Sequence, residues 1–127
     1  MTNAHHTVPL ISVVDDDPSV RRALRRLLQS EGYAVEAFAS AREFLDSSPV
    51  GRTACLVLDI RLDGMSGFEL QERLVADRAP IPVIFITAHD DAQTRERAHH
   101  AGVAGYLPKP FDADPLLDAI RGVIGRI

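Results

Sequence analysis

The chain has 127 residues, 46% of them hydrophobic, and a formal net charge of −4 from 14 basic and 18 acidic side chains. This size predicts one globular domain, and the acidic balance argues against direct nucleic-acid binding by this chain. No apolar run approaches the roughly 20 residues of a membrane helix, and the N-terminus lacks the order of a signal peptide, so we expect a cytoplasmic protein with no membrane segment.

Short apolar runs alternate with helix-like stretches, which predicts a parallel sheet covered by helices. We expect a flexible tail over residues 1–9 and a domain over residues 10–127. The expected strands are Leu10–Val14, Ala34–Phe38, 54–60, Val83–Thr87 and 104–107. The predicted fold class is α/β, a flavodoxin-like (βα)5 fold with helices on both faces of a five-stranded sheet of order 2-1-3-4-5.

The first expected helix has the clearest signals in the chain. Asp17 is a typical N-cap, Pro18 suits the first helical position, and apolar residues recur at helical spacing until Gly32 ends the helix. By contrast, the helix expected over 90–101 carries few large apolar residues. We therefore expect this fourth helix to be held weakly to the core.

Capping residues and apolar spacing predict the other helices. Two are expected to begin at capping boxes, Ser40 with Glu43 and Ser66 with Glu69. The third and the last helix should each turn an apolar face toward the core. The inward residues are Leu70, Leu74 and Val75 on the third helix and Leu116, Leu117, Ile120, Val123 and Ile124 on the last.

Polar residues follow four of the strands. Asp15 and Asp16 come after the first strand, Asp59 closes the third, Thr87 closes the fourth, and Lys109, the single lysine, follows the fifth. Because the carboxyl ends of parallel strands open onto one edge of a sheet, we expect these side chains to meet there.

Three converging carboxylates repel one another unless a cation compensates, and a set of oxygen ligands suits Mg²⁺. One of the carboxylates, Asp59, is then placed to act as a nucleophile toward a phosphoryl donor and to form an aspartyl phosphate. The Lys109 ammonium and the Thr87 hydroxyl would each hold a phosphoryl oxygen.

Simpler roles explain some of the neighbouring residues. Asp17 is better explained as a helix cap than as a metal ligand, whereas metal binding is favoured for Asp15 and Asp16. Cys55 lies inside an apolar run and is expected to pack as a small buried hydrophobic residue.

The ordered set of motifs resembles the receiver domain of two-component response regulators, closest to the FixJ/NarL type, over about residues 10–124. The matching segments are VDDD at 14–17, LDIRLDGMSG at 58–67, ITAH at 86–89 and GYLPKPF at 105–111. The resemblance implies that Asp59 is the phosphoacceptor. It also implies that Asp15, Asp16 and Asp59 hold Mg²⁺ together with the backbone carbonyl of Arg61.

The same resemblance implies roles for residues of the fourth and fifth strands. Thr87 and Lys109 would bind the phosphoryl group, and the Lys109–Pro110 peptide would be cis. Tyr106 matches an aromatic switch that moves inward when the Thr87 hydroxyl turns toward the phosphate. The alternative for Tyr106 is a half-buried strand tyrosine with no switching role.

The partners are also implied by the resemblance. A sensor histidine kinase would donate the phosphoryl group, and the face formed by the fourth helix, fifth strand and fifth helix would carry the output and possible homodimerisation. The chain would not be an enzyme in the usual sense, since it would catalyse only its own phosphorylation and dephosphorylation.

One loop position departs from the family pattern. Asp63 stands where a proline is common, and it adds negative charge near Asp59. We expect slower phosphorylation or weaker Mg²⁺ binding than in an Asp63→Pro variant, and equal metal affinity and labelling rates in the two proteins would contradict this.

Other classes of protein fit the sequence less well. A phosphatase of the haloacid dehalogenase class needs a second carboxylate two residues after the first, where this chain has Arg61, and a nucleotide-binding domain needs a glycine-rich loop after the first strand. Two forms of the receiver remain open: a stand-alone domain, or the excised regulatory domain of a DNA-binding transcription regulator.

Overall fold

The computed structural model describes residues 8–47 and 50–125 of the chain. The strands are β1 (Leu10–Val14), β2 (Ala34–Phe38), β3 (Thr53–Asp59), β4 (Val83–Thr87) and β5 (Gly105–Pro108). The helices are α1 (Pro18–Ser30), α2 (Ala41–Asp46), α3 (Gly67–Ala76), α4 (Ala92–His100) and α5 (Ala113–Ile124), and a short 3₁₀ turn spans Val50–Arg52. Most of the tail predicted over residues 1–9 lies outside the described residues.

The five strands form one parallel sheet of order β2-β1-β3-β4-β5. This confirms the predicted fold class and strand order. The predicted third and fifth strands were each displaced by one residue, because apolar composition does not mark where hydrogen bonding between strands starts and stops.

Two apolar layers cover the two faces of the sheet. Side chains of α1 and α5 pack on one face, and side chains of α2, α3 and α4 pack on the other. Consecutive strand residues alternate between these layers, as Val13 and Val14 do on β1. All residues of β1 and β4 are buried, which explains why both sequences are apolar apart from Ser12 and Thr87.

Several side chains differ from the predicted burial. Val75 is 60% exposed and Val123 is 37% exposed, so the inward position predicted for both was wrong. Each lies next to a helix position that faces the core, and one step along a helix turns a side chain by about 100°.

Of the nine residues of α4 only Ala98 is buried, which agrees with the predicted weak attachment. Cys55 is fully buried, as expected.

The helix starts follow the expected capping chemistry with one exception. Asp17 caps α1 through the Ser19 N–H, and the Ser66–Glu69 capping box is closed by both of its hydrogen bonds. At α2, Ser40 accepts from the Glu43 N–H, but the Glu43 carboxylate accepts from the Ala39 N–H, so the predicted box is not formed there. Among the described helices, none is both long enough and apolar enough to cross a membrane.

Candidate functional site

The carboxyl ends of β1 and β3 bring three aspartates together. Asp15 and Asp16 lie in the turn between β1 and α1, and Asp59 is the last residue of β3, which pairs directly with β1. One carboxylate oxygen from each of the three lies within 4.8 Å of the others. The predicted convergence of these side chains is therefore present in the folded chain.

Asp15 is the most deeply placed of the three. It is fully buried, and its Oδ1 accepts a hydrogen bond of 2.9 Å from the Asp17 N–H. The Arg21 guanidinium donates to the Asp15 carbonyl oxygen at 2.7 Å, which fixes the backbone at the start of α1. Asp16 is exposed, so its carboxylate lies on the solvent side of the cluster.

Lys109, the residue directly after β5, bridges the buried carboxylates of Asp15 and Asp59. Its Nζ lies 2.7 Å from Asp15 Oδ2 and 3.3 Å from Asp59 Oδ2. The other Asp59 oxygen, Oδ1, accepts from the Arg61 N–H at 3.2 Å. Asp59 is 5% exposed, so the side chain that the sequence marks as nucleophile is nearly enclosed but still borders solvent.

The pKa values of Asp59 and Lys109 are both raised, for different reasons. Burial raises the pKa of Asp59, and the negative charge of Asp15 raises it further, although Lys109 and the Arg61 N–H act in the opposite direction. For Lys109, burial alone would lower the pKa, but the hydrogen bonds and charges of Asp15 and Asp59 outweigh burial and raise it. Lys109 therefore remains a cation at neutral pH.

Thr87 closes β4 beside this cluster and is fully buried. Its Oγ1 accepts from the His89 N–H at 2.9 Å, and its carbonyl oxygen accepts from the Lys109 N–H. These two bonds tie the end of β4 to the loop before α4 and to the residue after β5. The Lys109–Pro110 peptide is cis, as predicted.

A crevice of about 460 Å³ opens over Asp59. Asp16, Arg61, Asp63 and Lys109 all contribute to its walls. Asp63 is exposed, so its additional negative charge lies at the rim of the crevice. The crevice leaves the Asp59 carboxylate accessible from solvent.

The residues present suit a hard divalent cation. The group that offers ligand atoms consists of carboxylates alone, and burial together with the negative charge of Asp15 raises the pKa of Asp59 despite the nearby Lys109. Mg²⁺ prefers such oxygen ligands. Arg61, whose carbonyl was predicted as a further ligand, also borders the crevice.

Sequence reasoning missed two features near the site. The first is Gly67, where a Cβ atom would collide with the Asp59 carbonyl oxygen and lie 2.9 Å from Ile60 Cα. The second is Asp90, which accepts a hydrogen bond of 2.9 Å from the Tyr106 hydroxyl. The sequence carried no signal for Asp90 beyond its position three residues after Thr87.

Comparison with known proteins gives one consistent result. The family model for the response regulator receiver domain matches residues 11–121. Nodulation protein W of Bradyrhizobium diazoefficiens is 46% identical over 120 residues, which are 94% of this chain and 53% of that protein. The transcriptional regulatory protein FixJ of Azorhizobium caulinodans is 40% identical over 91% of this chain and 55% of its own length.

Solved structures agree with these relatives. The response regulator StyR is 50% identical with a TM-score of 0.85, and the match covers 93% of this chain and 60% of StyR. The structure of FixJ-N is 35% identical with a TM-score of 0.81, over 91% of this chain and 93% of that one. The chain spans about half the length of the curated relatives it matches.

Proposed function

The chain belongs to the family of response regulator receiver domains, and from this premise we propose that Asp59 is its phosphoacceptor. Receiver domains are phosphoaccepting switches of two-component signal transduction rather than classical enzymes, and this chain is such a switch. The observation that carries the assignment is the position of Asp59, nearly buried at the end of β3 with the Lys109 ammonium 3.3 Å away.

In the proposed reaction, a carboxylate oxygen of Asp59 attacks the phosphorus atom of a phosphohistidine. The new O–P bond forms as the P–N bond breaks, and the donor imidazole leaves with the bonding electron pair. Lys109 retains its proton throughout and offsets negative charge on the phosphoryl oxygens. By this account the chain catalyses only its own phosphorylation and dephosphorylation.

Asp15, Asp16, Asp59 and the Arg61 backbone carbonyl are the residues that would hold Mg²⁺. When bound, the ion supplies positive charge that offsets the carboxylates and the phosphoryl oxygens. The all-carboxylate composition of the cluster supports this assignment. Lys109, the residue after β5, contacts both Asp15 and Asp59.

Thr87 and Tyr106 are the proposed switch residues. The Thr87 Oγ1 accepts the His89 N–H, so its hydroxyl proton is available to donate to a phosphoryl oxygen. A turn of this hydroxyl toward the phosphate would alter the loop before α4 and release Tyr106 to move inward. The changed face of α4, β5 and α5 would carry the output, including homodimerisation.

A sensor histidine kinase is the proposed donor. An apolar groove of about 590 Å³ lies between α1 and the start of α5, with Val20, Leu27 and Phe111 among its walls. Ala88 and Lys109 border both this groove and the crevice over Asp59. A kinase helix in the groove would therefore present its phosphohistidine at the crevice.

Because the relatives are about twice as long, we also propose that the chain is the regulatory domain of a longer, cytoplasmic transcription regulator. In that protein, DNA contact would come from another domain. The alternative is a receiver that acts alone through protein contacts. Sequencing the native gene beyond the codon for Ile127 would decide between the two.

Treatment with acetyl phosphate and Mg²⁺, followed by intact-mass measurement, tests the phosphoacceptor assignment. We expect one added phosphoryl group on the natural chain and none on the Asp59→Asn variant. The Asp77→Asn variant serves as a matched control, because Asp77 is an exposed aspartate paired with Arg73, and it should label normally. Full labelling of Asp59→Asn would overturn the assignment.

A further inference from the structure

Three side chains form a bridge between α4 and β5. The Tyr106 hydroxyl on β5 donates to Asp90 Oδ1 at 2.9 Å, and Arg95 Nε on α4 lies 3.6 Å from the same Asp90 oxygen. We call this arrangement the Asp90 bridge. Asp90 belongs to the loop between β4 and α4, so the bridge joins that loop to both elements.

Asp90 directly follows His89, whose N–H is hydrogen-bonded to the proposed switch residue Thr87. The His89 N–H donates to Thr87 Oγ1, and the next residue, Asp90, accepts from Tyr106. A change at Thr87 that displaces His89 would therefore displace the acceptor of the Tyr106 hydroxyl. The coupling runs through two consecutive residues of one short loop.

The elements on either side of this loop differ in how firmly they are held. β4 is buried throughout, whereas α4 buries only Ala98 among its nine residues. Rearrangement of the loop and α4 therefore disturbs few core contacts. The charge-assisted hydrogen bond to Asp90 therefore adds to the packing of Tyr106 against the apolar layer under α4 in holding the ring in its present position.

We propose that Asp90 is a positioning residue that holds Tyr106 in its resting, outward position and thereby sets how readily the receiver switches. This inference rests on the proposed switch role of Tyr106 and goes beyond it by naming what opposes the switch. Tyr106 is half-buried, and burial raises the pKa of its phenol, with the hydrogen bond and the charge of Asp90 raising it further. By thermodynamic linkage, a bond that stabilises the resting state weakens binding of any ligand that favours the switched state.

The test begins with the unphosphorylated protein. The chain contains two tyrosines, so ring-labelled tyrosine gives NMR signals from Tyr106 and from the buried Tyr33, which acts as an internal reference. Asp90→Ala should shift the Tyr106 signals and leave those of Tyr33 unchanged. Asp90→Asn keeps an acceptor oxygen and should restore part of the natural Tyr106 signal.

A second measurement uses beryllofluoride with Mg²⁺ as the probe of the switched state. Loss of one such hydrogen bond should tighten beryllofluoride binding about fivefold in Asp90→Ala. Tyr106→Phe removes the donor of the same bond, so adding Asp90→Ala to it should produce little further change. Arg95→Gln should give a smaller shift in the same direction.

Glu96→Ala is the matched control, since it removes a carboxylate of α4 that pairs with His100. It should leave both measurements unchanged. If Asp90→Ala and Arg95→Gln leave the Tyr106 signals and the beryllofluoride affinity at natural values, the proposal is wrong. If the natural chain fails to bind beryllofluoride, the proposed function fails, while the Tyr106 signals of the unphosphorylated variants still decide the role of Asp90.

Discussion

The position of Gly67 beside the proposed phosphoacceptor Asp59 leaves no space for a larger residue. It is the first residue of α3, and its N–H donates to the Ile60 carbonyl oxygen at 2.9 Å, directly after Asp59. The backbone of α3 thus lies against the end of β3 with no room for a side chain. This close approach fixes the Asp59 backbone relative to the loop that contains Arg61.

Gly67→Ala should destabilise the protein by about 2–3 kcal/mol, because the new methyl group meets rigid backbone rather than a flexible side chain. Urea denaturation measures the loss. Gly122→Ala in α5 is the matched control, since a Cβ there meets no atom of the described residues within 4 Å. This control should stabilise the protein by about 0.5–1 kcal/mol. Equal effects of the two substitutions would contradict the close-approach explanation.

At the scale of single elements, α4 depends on its cap more than its neighbours do. Its N-cap Asp91 accepts from the Thr94 N–H at 2.8 Å, and its packing contributes one buried residue. In α5, the N-cap Asp112 makes no side-chain capping bond within the described residues, and the helix is held instead by three buried apolar side chains. The two helices therefore rely on different interactions.

Asp91→Ala should increase amide hydrogen exchange in α4 about fivefold, because the lost cap frays a helix that buries only one side chain. Asp112→Ala is the control and should leave exchange in α5 nearly unchanged. Mass-spectrometric or NMR detection of exchange separates the two helices. A uniform rise across both helices in Asp91→Ala would instead show that α4 unfolds only with the whole domain.

At the scale of the whole molecule, the negative charge of buried Asp59 opposes folding. The pKa of Asp59 is raised in the native state, so between its unfolded and native values the native protein binds more protons than the unfolded chain. Stability therefore falls as pH rises through that window, and the full penalty is present above it. Ionised Asp59 therefore lowers the stability of the native protein.

In magnesium-free buffer, Asp59→Asn should be more stable than the natural chain at pH 7, and the difference should shrink as pH falls toward the ordinary aspartate pKa of about 3.9. Urea midpoints measured across this range test the sign. Mg²⁺ at about 100 times its Kd should then add about 2.7 kcal/mol to the natural chain. A natural chain more stable than Asp59→Asn without Mg²⁺ would contradict the argument that burial and the charge of Asp15 make ionised Asp59 destabilising.

The sequence was most informative where a short-range pattern carries the signal. Asp17 and Ser66 are caps because their side chains reach N–H groups two or three residues away, and both were predicted. Val75 and Ser40 show the limits of such patterns. Whether Val75 faces the core depends on the rotation of α3 against the sheet, and the partner of Glu43 depends on the path of the chain before α2.

The sequence by itself determined the order of the elements along the chain and the identity of the residues at the carboxyl edge, because apolar runs and the polar residues that end them are local features. The predicted strand order came from the α/β fold class rather than from any one of these runs. Only the tertiary structure decided that Lys109 bridges Asp15 and Asp59, that Gly67 touches the Asp59 backbone, and that Asp90 receives the Tyr106 hydroxyl. These contacts join residues that are 8 to 94 positions apart in the sequence. Such contacts depend on how the strands and helices pack against one another, which the residue pattern of a single strand or helix does not specify.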